Sequence, residues 1–219
     1  MAEPVVILGL TGSIGTGKTF AARTFARAGA TIFDADAVVH SLLAPGGTAV
    51  AAVGAAFPEV VRRGPGGPWA DRSALADRVF ADGEALARLE AILHPLTEAA
   101  RARFLRHAAA SRRRLAVVDV PLLFETGGER QCDAVVLVTA PLFLQTQRVL
   151  RRPGMTSARL DGIRRRQLSQ AEKSRRATYV VRSGLGFRPT LRAVCRIVRQ
   201  LRYRRGVKWP PRGAALRRP

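Results

Sequence analysis

The segment Gly12-Ser13-Ile14-Gly15-Thr16-Gly17-Lys18-Thr19 satisfies the spacing G-x-x-x-x-G-K-[ST] in full, and it constrains this chain more than any other feature. An apolar run over residues 5–10 precedes it, and an amphipathic helical pattern over about 18–28 follows. That strand–loop–helix context is the one in which the spacing carries a mechanism. Glycines at 12, 15 and 17 let the chain curl until successive amide hydrogens face phosphate oxygens. The positive end of the following helix adds to the attraction for an anion. Lys18 is placed to reach the β- and γ-phosphates of ATP, and the Thr19 hydroxyl to ligate Mg²⁺. Residues Gly12 to Phe20 are therefore the expected nucleotide-binding segment. Taken alone, the loop implies nothing narrower than binding of a nucleoside triphosphate.

The rest of the pattern alternates short apolar runs with helical stretches. Runs at 30–33, 115–118, 134–138 and 178–181 read as further strands, and 73–81, 84–109, 142–151 and 191–203 as helices. Continuous apolar runs suit parallel strands covered on both faces. Alternation with helices predicts a doubly wound α/β domain with a parallel sheet of about five strands. Residues 62–69, RRGPGGPW, read as a Gly/Pro-rich loop, and Pro95 is expected to break or kink a long helical pattern. Residues 153–177 are dense in arginine and read as a helical insertion before the fifth strand, with Thr156 as a helix cap and Ser169 opening a capping box.

Two cysteines, Cys132 and Cys195, lie far apart and form neither a disulfide framework nor a zinc-ligand spacing. No signal-peptide pattern opens the chain and no apolar run approaches a membrane span, so a cytoplasmic protein without a membrane partner is expected. The formal net charge of +21 is uneven, being +1 over residues 1–110 and +20 over 111–219. Two readings fit, a solvated arginine surface and an electropositive region that attracts polyanions. A nucleic-acid-dependent ATPase fits less well, because aromatic residues are only 6% of the chain and do not interleave with the arginines as a stacking platform would. Residues 204–219 have little hydrophobic pattern and read as a basic, disordered tail.

Further residues point to phosphoryl transfer. Asp34 and Asp36 follow the second apolar run, at the sheet edge where ligands bind in such folds. A carboxylate there could accept a hydroxyl proton, or Asp36 could cap a helix starting at Ala37. Asp119 ends the third run at the position of a Walker-B carboxylate that holds Mg²⁺, and it is followed by Val120 where a typical ATPase base would be Glu. His94, just before Pro95, reads first as a structural histidine, with a ligand contact as the alternative.

Taken together, GLTGSIGTGKT (9–19), DADAVVH (34–40), APGGTAV (44–50), RVFAD (78–82), LEAILHPL (89–96) and DVPLLFETG (119–127) resemble the dephospho-coenzyme A kinase family, in its order and spacing. The resemblance spans about residues 7–186. It implies a P-loop kinase fold in a single domain over 1–203, with acceptor-binding helices over about 36–110 and an arginine-rich lid over about 153–177. It implies transfer of the ATP γ-phosphoryl group to the ribose 3′-hydroxyl of dephospho-coenzyme A, the last step of coenzyme A synthesis, by a monomer using Mg²⁺. Asp36 becomes the general base, and Asp34, His94, Pro95, Leu122, Leu123 and Glu125 surround the acceptor. Arg148, with Arg152 as the alternative, stabilises charge in the transition state beside Lys18. Three departures stand out. Phe20 replaces a common hydroxyl residue, Thr178 and Arg182 replace carboxylates, and the basic tail has no family role. A different P-loop kinase, acting on a nucleoside, nucleotide or sugar acid, is the competing reading, because one fold serves many acceptors.

Overall fold

In the computed structural model, which describes residues 4–80 and 82–209, the apolar run before the glycine loop is β1 (Val6–Thr11), with all six residues buried. Helix α1 (Lys18–Arg27) follows the loop, and β2 (Thr31–Asp34) leads into α2 (Ala35–Leu43) and α3 (Val50–Ala56). A short hairpin, β3 (Val61–Gly64) and β4 (Gly67–Ala70), precedes α4 (Arg72–Phe80) and the long α5 (Gly83–Ala110). The chain then alternates through β5 (Leu115–Asp119), β6 (Ala134–Thr139), α6 (Leu142–Leu150), α7 (Ser157–Arg165), α8 (Gln170–Arg176), β7 (Tyr179–Arg182) and α9 (Phe187–Leu201).

The main sheet has the order β2-β5-β1-β6-β7. Strand β1 is central and parallel to both neighbours, with Leu10 opposite Asp119 and Thr11 opposite Leu137. The chain leaves β1 toward one side of the sheet and later returns to the other, so the carboxyl end of β1 is a topological switch point. The glycine loop emerges there. Helices α1 and α9 cover one face, where Ala21, Phe25, Val194, Ile197 and Leu201 pack on Leu8, Leu10, Val136 and Val181. Phe25 is wholly buried, a burial worth about 1.5–3 kcal/mol. All five strands anticipated from their apolar runs are present.

The chain separates into two compact units, one built from residues up to Phe33 and from Leu105 onward, the other from Asp34–Phe104. The second unit has its own core of Leu43, Val53, Phe57, Val60, Leu75, Val79 and Leu89. Three local expectations are corrected. Residues 62–69 are not a loop but part of the β3–β4 hairpin, whose antiparallel pairs run from Val61–Ala70 to Gly64–Gly67 around Pro65-Gly66. Of the break or kink expected at Pro95, the break is corrected: Pro95 lies inside α5, which continues past it although its own N–H is missing from the ladder. The tail expected from residue 204 does not begin there. The Val207 and Lys208 amides donate to Asp133 Oδ1 at 2.8 and 3.1 Å, while Ile7 N donates to Asp133 Oδ2 at 2.7 Å. The remainder of that expected tail, 210–219, lies outside the described residues.

Asp82 closes the start of α5 by accepting from Ala85 N at 2.9 Å and pairs with Arg78 at 2.7 Å. The Ala85 amide first, and Arg78 second, hold its carboxyl below the ordinary aspartate range. A carboxyl depressed in the folded state stabilises above its unfolded pKa, and that contribution is lost as pH falls through the folded value. Asp82→Ala should therefore lower the urea midpoint at pH 7, and the difference from the parent should shrink below about pH 4. A difference independent of pH would contradict this role.

Candidate active site

The phosphate loop is shaped by close approach as much as by flexibility. A Cβ at Gly12 would lie 2.7 Å from both the Val138 carbonyl and Thr16 Oγ1, so a side chain there must displace strand β6 or the loop. Gly15 has φ +79° and its Cβ would meet Gln145 O at 2.7 Å, which excludes other residues on both counts. Gly17, also left-handed, caps α1. The loop is tightened by Thr16 N and Thr16 Oγ1, which both donate to Ser13 O at 3.2 and 2.8 Å. Gly12→Ala is expected to cost about 1–3 kcal/mol of stability through overpacking and to weaken ATP binding in parallel; calorimetric titration and urea unfolding measure both.

Lys18 and Asp119 meet at the switch point, where Lys18 Nζ pairs with Asp119 Oδ1. Asp119 is 6% exposed at the end of β5, and Thr19 is exposed in the first turn of α1. One hydroxyl and one carboxylate are hard oxygen donors of the kind Mg²⁺ accepts, and Mg²⁺ usually takes only one or two protein carboxylates, completing its shell with phosphate and water. The donor set fits that ion. Among the described residues no cluster of three or more His, Cys, Asp or Glu forms a dedicated metal cage.

Arg148, on α6, lies against the loop. Its NH1 donates to Gly15 O at 3.2 Å and to Ser183 Oγ at 3.4 Å, and Ser183 Oγ in turn donates to Thr16 O. Pinning the Thr16 carbonyl turns the N–H of the same peptide plane, that of Gly17, the opposite way. Ser183 is thus a loop support that sequence reasoning did not single out, although it stands directly after β7. A second support is Thr11, whose Oγ1 donates to Pro121 O at 2.9 Å. Phe20 packs against Phe187 of α9 with ring centroids 4.8 Å apart and planes tilted by 58°. Thr178 accepts from Val135 N at 3.0 Å, a bond within the sheet, while Arg182 is exposed at the end of β7 and Arg152 is exposed after α6.

In the second unit, Asp34 and not Asp36 is the helix cap. Asp34 Oδ1 accepts from Ala37 N at 3.0 Å and α2 begins at Ala35, which corrects the alternative that made Asp36 the cap. Asp36 is exposed in the first turn and makes no hydrogen bond or ion pair with another described residue. His94 and Pro95 are exposed on α5. This unit also holds an open groove of about 540 Å³ between the Gly46-Gly47 turn, α3 and the hairpin, with Arg63 its one charged lining residue.

The β5–β6 connection carries Leu122, exposed, and Leu123, buried. Glu125 turns toward α8, where its Oε1 lies 2.8 Å from Lys173 Nζ and accepts from Leu168 N at 2.9 Å. One helical turn on, Arg176 pairs with Glu129, donates to Phe124 O at 3.1 Å and lies over the Phe124 ring. Thr156 and Ser169 cap α7 and α8 as expected. Lys173 is fully buried, and it is the functional candidate that the sequence reading missed most clearly.

A lysine-bearing phosphate loop at the switch point of this strand order, faced by a carboxylate from the neighbouring strand, defines a P-loop kinase. Comparison with known proteins narrows the class. The dephospho-CoA kinase family model matches residues 6–185. A dephospho-CoA kinase of Rhodospirillum rubrum is 57% identical over 189 residues, covering 86% of this chain and 88% of the relative. Among solved structures, TT1252 of Thermus thermophilus superposes with a TM-score of 0.78 at 31% identity, covering 90% of this chain and 98% of that one. The dephospho-CoA kinase of Campylobacter jejuni shares the fold at a TM-score of 0.58 and 18% identity, over 89% and 96% of the two chains. The chain belongs to the dephospho-CoA kinase family.

Proposed function

We propose that this chain transfers the γ-phosphoryl group of ATP to the ribose 3′-hydroxyl of dephospho-coenzyme A, the last step of coenzyme A synthesis. The observation that carries the nucleotide half is the Lys18–Asp119 pair beside the glycine loop; family membership carries the acceptor. Residues Gly12 to Phe20 hold the phosphates, with the loop amides and Lys18 drawing charge toward the β- and γ-groups. Thr19 and Asp119 would hold Mg²⁺, which neutralises phosphate charge when bound. Asp36 takes the 3′-hydroxyl proton as that oxygen bonds to the γ-phosphorus and the bond to the bridging oxygen of ADP breaks. Arg148, already fixed against Gly15 and Ser183, is the guanidinium placed to stabilise the equatorial oxygens.

On the acceptor side, family membership assigns contacts to Asp34, His94, Pro95, Leu122, Leu123 and Glu125. The nearly uncharged groove of the second unit suits the pantetheine arm better than a phosphate. The arginine-dense 153–177 region acts as a lid that excludes water, so that the phosphoryl group is not lost to hydrolysis. No helix among the described residues is long and apolar enough to cross a membrane; a cytoplasmic location and a monomeric working state are part of this reading.

The test is acceptor-dependent turnover. Purified protein with ATP and Mg²⁺ should release ADP only when dephospho-coenzyme A is present, with one coenzyme A formed per ADP by mass spectrometry. Normal ATP binding with no coenzyme A produced would overturn the assignment.

A further inference from the structure

Helix α9 presents an unusual outer face. Arg188, Arg192, Arg196 and Arg199 recur at intervals of three or four residues, and Arg202 continues the helical backbone at its C-cap. At about 100° per residue all five fall within an arc of about 120° and span about 21 Å. All five are exposed, and none makes an ion pair with a described carboxylate. The helix itself contains no Asp or Glu. Elsewhere the arginines do find acids, as Arg62 does Asp71, Arg78 does Asp82, Arg101 does Glu98 and Arg176 does Glu129. Like charges three and four residues apart destabilise a helix, so a surface built only for solubility would mix signs. This one does not.

The opposite side of α9 is committed. Thr190, Val194, Ile197 and Leu201 are buried, the last three of them in the sheet core, so the apolar stripe is not available to lie in a bilayer. Tyr203, 83% exposed, follows Arg202 in the turn that ends the helix. Beyond it Arg204, Arg205 and Lys208 are exposed on a segment that Asp133 holds through the Val207 and Lys208 amides. The basic surface is therefore a fixed rod with a held extension and not a loose tail.

We infer that the arginine face of α9 is a binding surface for single-stranded nucleic acid, sequence-independent and separate from the phosphate loop. Guanidinium groups in line at about 4.5–6 Å intervals match a chain of phosphates, each neutralised with release of a counterion. The Tyr203 ring offers a π-face for a base at the end of that line, and such stacking tolerates any sequence. A duplex or a lipid surface would use the charges and not the ring.

The experiment uses the full chain with Mg·ADP in excess, so that the phosphate loop is filled, and reads the anisotropy of an end-labelled mixed-sequence strand of about 20 nucleotides. Between about 50 and 200 mM salt the log–log slope of the binding constant should be about −3.5, from about −0.7 per arginine. Arg192→Gln/Arg196→Gln/Arg199→Gln should make the slope shallower by about 2 and leave coenzyme A formation unchanged, which also reports that it folds. Tyr203→Ala should weaken single-strand binding at least about fivefold and leave duplex binding as it was. The proposal is overturned if the triple variant binds like the parent, if a chain ending at residue 209 loses all binding, or if vesicles of anionic phospholipid are bound more tightly than the oligonucleotide.

Discussion

Asp36→Asn is expected to lower the turnover of coenzyme A formation about 10²- to 10⁴-fold with little change in the dissociation constant for ATP. The reason is a division of labour between two neighbouring carboxylates. Asp34 already accepts the Ala37 amide and holds the start of α2, whereas Asp36, one residue into that helix, is exposed and has no described partner. A carboxylate with no structural task is the one available to take a proton. The substitution keeps shape and removes only basicity, and it leaves Gly12–Thr19 and the Lys18–Asp119 pair intact, so nucleotide binding should persist. Asp34→Asn is the comparison: asparagine caps a helix about as well as aspartate, so α2 should persist and any loss should fall on the KM for dephospho-coenzyme A, not on turnover. If both variants lost turnover equally, or if only Asp34→Asn did, Asp36 would not be the base.

The main sheet and the phosphate loop were legible because both are written locally. Strands buried on both faces are apolar along nearly their whole length, and β1, β5 and β6 are uniformly buried, with polar residues only at their carboxyl ends, Thr11, Asp119 and Thr139. The loop needs glycine where a Cβ would strike Val138 O or Gln145 O, and that need appears as spacing. Features set by tertiary partners were not legible. The β3–β4 hairpin is four residues a side and three of its eight positions are Gly or Pro, so turn signals hid the strands. Pro95 carried a true local penalty, but a helix of 28 residues has enough other bonds to continue through it. Whether Asp34 or Asp36 capped α2 depended on a boundary one or two residues wide. The α8 ion pairs join residues more than 40 apart in the chain, and no period or motif announces them. One clue was available. The chain has three lysines among 37 basic residues, so a lysine at 173 amid arginines stood out, although its burial was not written in the sequence.

That site gives the second large effect. Lys173→Met should destabilise the protein by about 3–5 kcal/mol, the usual consequence of removing one partner from a buried pair. Lys173 is fully buried and the Glu125 side chain is only 13% exposed, so the loss would strand a carboxylate. The pair is itself far from ideal. Lys173 Nζ sits at ionic distance from Glu125 without a well-aligned hydrogen bond, and Glu125 Oε2 is buried without a partner. Each unmet polar group costs about 1–3 kcal/mol, so stability alone does not account for the pair. An apolar replacement of both residues, Glu125→Leu/Lys173→Met, should recover most of the loss and unfold in urea within about 1 kcal/mol of the parent. What the double variant should not recover is turnover. Glu125 also accepts the Leu168 amide, at the end of the segment joining α7 to α8, while Gln167 beside it lies at 3.4 Å from Ile14 N of the phosphate loop. The carboxylate therefore fixes the segment between α7 and α8 whose Gln167 meets the phosphate loop. A double variant that is stable and at least about tenfold slower, with its KM for dephospho-coenzyme A unchanged, would identify Glu125 as a positioning residue and not an acceptor contact, since small displacements of reacting groups carry penalties of that size. A double variant both stable and fully active would reduce the pair to a packing feature.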